Sequence, residues 1–238
     1  MKIVNTLFNV VFPTHPNIRK KVFNLEDTLK DFFVTPFNLI QIPEDAPFDI
    51  PRIVASSKNG HTQMTISLNN LQIQTNFDEN YSSNWEQCCE YINKRVNSLF
   101  PFMEEHILME GFLYSGFSAT LIFEDIKNPS EHIFEHFFKF KTENKLSDIG
   151  CKLTFLIEDT FYVNISLNNF KLMNSGTNKI NFDKEVLGVV VDVNDRYKYN
   201  KSPDYRSDKT TSLKIIEIVS NIIKNKIEAT VRNGEIIL

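Results

Sequence analysis

The five-residue sequence Ile-Ser-Leu-Asn-Asn occurs twice in this chain, at residues 66–70 and 165–169. Before each copy, apolar and polar residues alternate, which is typical of a half-buried β-strand. The alternating apolar residues are Met64, Ile66 and Leu68 in the first copy and Val163, Ile165 and Leu167 in the second. After each Asn pair the apolar phase changes, first to Leu71 and Ile73, then to Phe170 and Leu172. The repeat therefore predicts the same structural change at two places.

A hairpin turn at each Asn pair explains this change of phase. Asn tolerates the left-handed backbone conformations that a two-residue turn requires. In the first copy such a turn would pair Leu68 with Leu71 and Ile66 with Ile73, all on one face of the hairpin. A bulge within one longer strand is the alternative. We predict a hairpin in both copies.

The order of predicted elements is similar around the two copies. The first half has a strand near residues 2–12, a helix near 25–33, a proline-punctuated segment at 35–52, the hairpin, and a helix from about 83. The second half has a strand at 113–123, a helix from Asn128, a strand at 149–157, the second copy, an added strand at 186–193 and a helix at about 211–231. This order predicts an internal duplication and an α+β fold. We expect two related halves (strand-helix-strand-hairpin-helix), with mainly antiparallel sheets packed on helices.

The division between the halves is expected near residue 110. Residues 1–110 form the N-terminal half and residues 111–238 the C-terminal half, and the two together could form one compact unit.

Composition restricts the classes of partner. The 238 residues carry 26 basic and 30 acidic side chains, a net charge of −4, which argues against a nucleic-acid partner.

The sequence indicates a cytoplasmic protein. It lacks an apolar run of the ~18–20 residues that a membrane-spanning helix needs, and its first residues read as a strand and not as a signal peptide. Cys88, Cys89 and Cys151 are an odd set without metal-like spacing, which is typical of reduced thiols in a reducing compartment. We expect no cofactor.

One motif resembles a zinc site. His132, Glu135 and His136 match the H-x-x-E-H pattern of inverted zinc peptidases, in which both histidines share a helix face. Zinc needs a third protein ligand, and in that family it is a glutamate further downstream. The corresponding window, residues 206–214, contains Asp208 but no glutamate. We therefore favour solvent-facing or helix-capping histidines.

Acidic residues at strand ends offer a second candidate. Three apolar strands of the second half lead into acids, represented by Asp125, Glu158 and Asp192. If these strands were neighbours running in one direction, the carboxylates would converge and bind Mg²⁺ for phosphoryl chemistry. In an antiparallel sheet they would lie at opposite edges, and acids are common where strands give way to turns. This metal-dependent phosphoesterase or nuclease is the alternative hypothesis.

The polar loop at residues 194–209 is the preferred binding candidate. Cationic and aromatic side chains alternate along it, as in many protein interfaces. The predicted partner-binding residues are Arg196, Tyr197, Lys198, Tyr199, Tyr205 and Arg206. Aspartates dilute the charge of this loop, which favours a protein partner over nucleic acid.

Three segments carry a resemblance to known proteins: the extended segment at 42–70, the aromatic helix around Trp85 and the strand at 186–195. Through them the chain resembles a sporadically distributed bacterial family of similar length that has no assigned function. The resemblance implies no catalytic residues, and none is assigned. Together with the missing catalytic set, it leads us to expect a non-enzymatic, protein-binding component. An accessory, immunity or antitoxin-like factor of a defence or mobile-element system fits this expectation. The sequence is also compatible with a homo-oligomer.

Overall fold

The computed structural model describes residues 1–43, 45–107, 111–139, 141–144, 146–173 and 182–236. Its strands are β1 (Lys2–Val11), β2 (Asn38–Leu39), β3 (Ile53–Ser56), β4 (Thr62–Ile66), β5 (Asn70–Asn76), β6 (Tyr114–Phe123), β7 (Gly150–Ile157), β8 (Phe161–Met173) and β9 (Phe182–Asn194). Its α-helices are α1 (Val22–Leu29), α2 (Trp85–His106), α3 (Pro129–Phe137), α4 (Arg196–Lys201), α5 (Lys209–Asn225) and α6 (Ile227–Asn233).

The strands form one nine-stranded sheet in the order β2-β3-β4-β5-β1-β6-β9-β8-β7. Every pair of neighbouring strands is antiparallel. The predicted α+β class with an antiparallel sheet is thereby confirmed. The pairing of β1 with β6 joins strands from both proposed halves into this sheet.

The two sides of the sheet, each read outward from the central pair β1 and β6, follow the same pattern. On each side the earliest strand is central, and the later strands follow outward from last to first. One side runs β1, β5, β4, β3, and the other runs β6, β9, β8, β7, with β2 as an extra edge strand. This shared order is what an internal duplication would produce, and the duplication itself remains a prediction. The proposed boundary at residue 110 lies outside the described residues.

Helices cover one face of the sheet because alternate strand residues are large and apolar. Phe8, Phe117 and Val191 are at most 1% exposed and point towards the helices. Helix α5 contacts β6 and β9, α2 contacts β1 and α5, and α3 contacts β7, β8 and β9. The indole N–H of Trp85 in α2 donates to the Ser220 hydroxyl of α5 at 2.9 Å, which ties the two helices together.

The first Ile-Ser-Leu-Asn-Asn copy forms the predicted hairpin, but its register differs from the predicted one. Ile66 pairs with Leu71, so the predicted pair of Ile66 with Ile73 is wrong. The Ser67 hydroxyl accepts hydrogen bonds from the backbone N–H groups of Asn69 (3.2 Å) and Asn70 (3.0 Å). These hydrogen bonds accompany a turn centred between Leu68 and Asn69. The predicted turn was centred one residue later, between Asn69 and Asn70.

The second copy does not form a hairpin, and that prediction is wrong. It lies inside β8, a strand that continues from Phe161 to Met173 and pairs with β9 over this length. Asn169 faces the helices and donates its side-chain N–H to the Ser130 hydroxyl at 3.1 Å. Phe170 lies on the opposite face, over Gly188 of β9. The change of apolar phase is therefore a change of face within one strand.

Gly188→Ala is expected to destabilise the protein by about 1–3 kcal/mol, the usual cost of overpacking. A Cβ atom at Gly188 would clash with the Phe170 ring, so the ring would have to move. Urea denaturation measures the effect. The control repeats the substitution in a Phe170→Ala background, where its cost should largely vanish; an equal cost in both backgrounds would contradict this packing.

Candidate binding surface

The sheet face opposite the helices presents polar side chains in three rows that cross the paired strands. We call this surface the open face. Its first row is Thr154, Asn164, Asp192, Ser118, Leu7, Gln74 and Gln63. Its second row is Leu156, Tyr162, Asn194, Gly116, Asn9, Gln72 and Thr65. Its third row is Lys152, Ser166, Val190, Thr120, Asn5 and Asn76.

The open face is dominated by amide and hydroxyl groups. In these three rows, all of which lie within the described residues, Asp192 and Lys152 are the charged side chains. Amide side chains both donate and accept hydrogen bonds. The side-chain oxygen of Asn9 is buried and has no hydrogen-bond partner among the described residues. A polar surface with little charge suits a ligand that offers many neutral donors and acceptors.

Asp192 is held at the centre of the first row by two amides. Asn164, its cross-strand neighbour, donates to one carboxylate oxygen at 2.7 Å, and Asn194 donates to the same oxygen at 2.9 Å. The Asn164 carbonyl in turn accepts from the Thr154 hydroxyl at 2.8 Å. Burial raises the pKa of Asp192 above its usual range, while the hydrogen bonds from Asn164 and Asn194 oppose that rise.

The raised pKa predicts a pH-dependent difference between the wild type and Asp192→Asn. As pH rises, the unfolded chain loses this proton near 3.8, whereas the folded protein retains it to a higher pH. The contribution of Asp192 to the free energy of unfolding therefore falls between those two pKa values and is then constant. Urea denaturation from about pH 3 to 7 should show the wild type losing stability relative to the variant. A wild type that gains relative stability over this range would contradict the sign.

One end of the open face carries an aromatic and cationic cluster built on α4. The Arg196 guanidinium lies 5.5 Å from the Tyr114 ring centroid, and Tyr199 contacts the same ring at a centroid distance of 5.4 Å. Tyr197 packs edge-on against Tyr162 at 5.3 Å. We call these five residues the α4 cluster. Tyr114 belongs to β6 and Tyr162 to β8, so the cluster is continuous with the open face.

The other three predicted partner-binding residues lie outside the contacts that define this cluster. Lys198 is half-buried in α4, and its carbonyl accepts the Ser202 N–H at 2.9 Å. Arg206 is exposed and donates to the carbonyl oxygens of Pro203 and Tyr205. Tyr205 is half-buried, and its hydroxyl donates to the Asp195 carboxylate at 2.7 Å. The prediction of a loop over residues 194–209 is thus wrong for residues 196–201, which form α4. The segment contributes a cluster at the open face and, through Tyr205, a contact with buried Asp195.

Asp195 anchors that segment, a role that the sequence pattern did not predict. Its side chain is 0% exposed. It accepts the Ser115 backbone N–H at 2.7 Å as well as the Tyr205 hydroxyl, and the Ser115 and Ser207 hydroxyls lie 2.9 Å apart. Burial raises the pKa of Asp195, and these hydrogen bonds oppose the rise. The network fixes the start of α4 relative to β6. Local sequence motifs do not predict this network, because it joins residues far apart in the chain.

The structure does not bring together the acids of the alternative metal site. Asp125 pairs with Arg232 at 2.8 Å, and Glu158 pairs with Lys214. Asp125 follows the end of β6 that lies beside Leu187, whereas Asp192 pairs with Ser118 further along β9. No group of three metal-ligating side chains occurs among the described residues.

The histidines of the zinc-like motif make hydrogen bonds within the fold, and Cys88 is buried. His132 Nε2 lies 2.6 Å from the Val231 carbonyl oxygen of α6, and His136 Nδ1 lies 2.9 Å from the His132 carbonyl oxygen. Cys88 is buried, and burial raises the pKa of its thiol to about 12. This thiol is therefore protonated at neutral pH and is a poor nucleophile.

Comparison with protein-family models and with curated proteins returned no match for this chain. The resemblance to an uncharacterised bacterial family accordingly remains a prediction. None of the described helices combines the length and the apolar character needed to cross a membrane.

Proposed function

We propose that the protein is a non-enzymatic binding component that holds a protein partner on the open face. The observation that carries this proposal is the set of amide and hydroxyl rows on the open face, together with the α4 cluster at one end of that face. A protein partner offers backbone and side-chain groups that match neutral amides. Its apolar side chains would fit the Tyr and Arg residues of the α4 cluster, since these residue types dominate the binding energy of many interfaces.

The charge distribution favours protein over nucleic acid. Binding of nucleic acid depends on Lys and Arg residues that neutralise phosphates. In the three rows of the open face, Lys152 is the positively charged side chain and Asp192 is the negatively charged one. A phosphate backbone laid across these rows would meet that carboxylate and few compensating charges.

The proposed biological setting is an accessory, immunity or antitoxin-like factor in a bacterial defence or mobile-element system. Proteins of this kind act by holding a partner and need no catalytic residues. The resemblance to a sporadically distributed bacterial family supports this setting. The metal-dependent phosphoesterase is not put forward, because Asp125 and Glu158 are engaged by Arg232 and Lys214.

Affinity capture with matched surface variants tests the proposal. Gln72→Arg changes the open face, Tyr197→Ala removes part of the α4 cluster, and Glu217→Arg changes the exposed surface of α5 on the opposite side. Immobilised wild type should enrich a protein from a lysate of the source organism. Both open-face variants should reduce its recovery about tenfold or more, as expected when an interface hot spot is lost.

The Glu217→Arg control should retain the partner at the wild-type level. Two results would contradict the proposal. One is equal loss in the Glu217→Arg variant, which would place the interface elsewhere. The other is loss of the captured material on nuclease treatment or its steep weakening by salt, which would indicate nucleic acid.

A further inference from the structure

The two edges of the sheet differ in length and protection. One edge is β2, which has two residues, Asn38–Leu39, and lies between Pro36 and Pro43. The other edge is β7, which has eight residues, Gly150–Ile157, and is paired on one side by β8. Short strands and prolines protect a sheet edge from pairing with other chains. Only the β2 edge has these devices.

The side chains of β7 leave its helix-facing row incompletely covered. Cys151, Leu153, Phe155 and Ile157 point to that side and are half-buried, whereas their cross-strand neighbours in β8 are at most 3% exposed. On the other side Leu156 is 42% exposed. Lys152 is the single charged residue within the strand. A long edge with half-exposed apolar residues and one charge is suited to accept another strand.

We propose that β7 pairs antiparallel with β7 of a second copy of this chain, so that two nine-stranded sheets join into one in a symmetric dimer. A two-fold axis at Thr154 would place Leu153 opposite Phe155, Cys151 opposite Ile157, and Lys152 opposite Leu156. Apolar residues then meet apolar residues on the helix side, and the two Lys152 side chains are not opposed.

This self-complementary register identifies a second copy as the occupant. A two-fold interface requires that one surface match itself, and β7 does so with Thr154 at the centre. In the part of the chain that the structure describes, no strand pairs with the outer side of β7. Another strand would satisfy the backbone N–H and C=O groups of that side in a regular ladder. The dimer leaves the open face accessible, and the inference is independent of the proposed partner.

Charge complementation at Thr154 tests the dimer and its register. Thr154 is exposed, so Thr154→Arg and Thr154→Asp should preserve the fold. In the proposed dimer each substitution places like charges opposite each other at the axis. Sedimentation velocity of the wild type up to about 100 µM should show dimers, and each variant alone should weaken the dimer about tenfold or more. An equimolar mixture of the two variants should restore dimers.

A matched control is Leu39→Arg on the opposite edge, which also places an arginine on an exposed edge-strand residue. It should leave the dimer unchanged, and circular dichroism should show that all variants are folded. A wild type that is monomeric throughout the concentration range would overturn the proposal. Dimers that persist in both separate Thr154 variants would also overturn it.

Discussion

Replacement of Asp195 by alanine is expected to lower the free energy of unfolding by about 3 kcal/mol or more. The side chain is 0% exposed, and it accepts hydrogen bonds from the Ser115 N–H and the Tyr205 hydroxyl. Alanine would take this acceptor from the buried Ser115 N–H and from the half-buried Tyr205 hydroxyl, and each buried donor left without an acceptor costs about 1–3 kcal/mol. Urea denaturation near neutral pH measures the loss.

Two further variants separate the Asp195 network from general effects of the substitution. Tyr205→Phe removes one donor together with its need for an acceptor, so its cost should be smaller, about 1 kcal/mol. Asp204→Ala replaces a nearby exposed acid and should change the stability by less than about 0.5 kcal/mol. If Asp195→Ala behaves like Asp204→Ala, the buried network does not support α4 as described.

Arg52→Ala is expected to release the proline-rich segment from the sheet. Arg52 is 2% exposed, and its guanidinium donates to the carbonyl oxygens of Ile50 (2.9 Å), Ala46 (3.1 Å) and Pro47 (3.3 Å). Without it, three carbonyl groups lose their donor, and the free energy of unfolding should fall by about 3 kcal/mol. Limited proteolysis should cleave near these residues about tenfold faster, because their local opening becomes easier.

The matched control for Arg52 is Arg206→Ala. Arg206 also donates to two backbone carbonyls, but it is exposed, so water can replace its hydrogen bonds. Arg52→Lys should give an intermediate result, because an ammonium group lacks the planar set of donors that reaches several carbonyls at once. Unchanged proteolysis in Arg52→Ala would show that the prolines alone fix this segment.

Periodicity predicted most of the elements because each depends on residues close in sequence. The alternation before Ile66 marks β4, and the apolar spacing after residue 209 marks α5. The predicted single helix at 211–231 is divided into α5 and α6 at Lys226. The two identical pentapeptides reached different structures because their neighbours differ. Ser67 caps a turn in the first copy, whereas its counterpart Ser166 pairs with Val190 of β9. Phe170, which follows the second copy where the first has Leu71, packs over Gly188 of β9.

The candidate binding surface was predicted only in part, because its members meet through strand pairing between distant segments. The polar alternation of Asn164, Ser166 and Asn168 is visible in the sequence and marks one exposed strand face. Its alignment with Asn9 and Gln72 depends on a strand order that no local pattern gives. The sequence did identify Arg196, Tyr197 and Tyr199, but not their partners Tyr114 and Tyr162.

The neighbouring acids Asp192 and Asp195 illustrate the same limit. Both follow apolar residues of the same strand pattern, so the sequence alone does not distinguish these two strand-end carboxylates. The structure places Asp192 on the open face beside two amides and Asp195 in a buried network. Their separate surroundings follow from alternation, because residues three apart in a strand face opposite sides of the sheet.

Site-specific photo-crosslinking tests the central claim that the open face holds a protein partner. A photoreactive residue at Gln72 lies on the open face, whereas one at Glu217 lies on the exposed surface of α5. Illumination in the source organism should give a protein adduct from position 72 that survives nuclease treatment, and none from position 217. A protein adduct from position 217 alone, or an adduct at position 72 that nuclease removes, would contradict the claim.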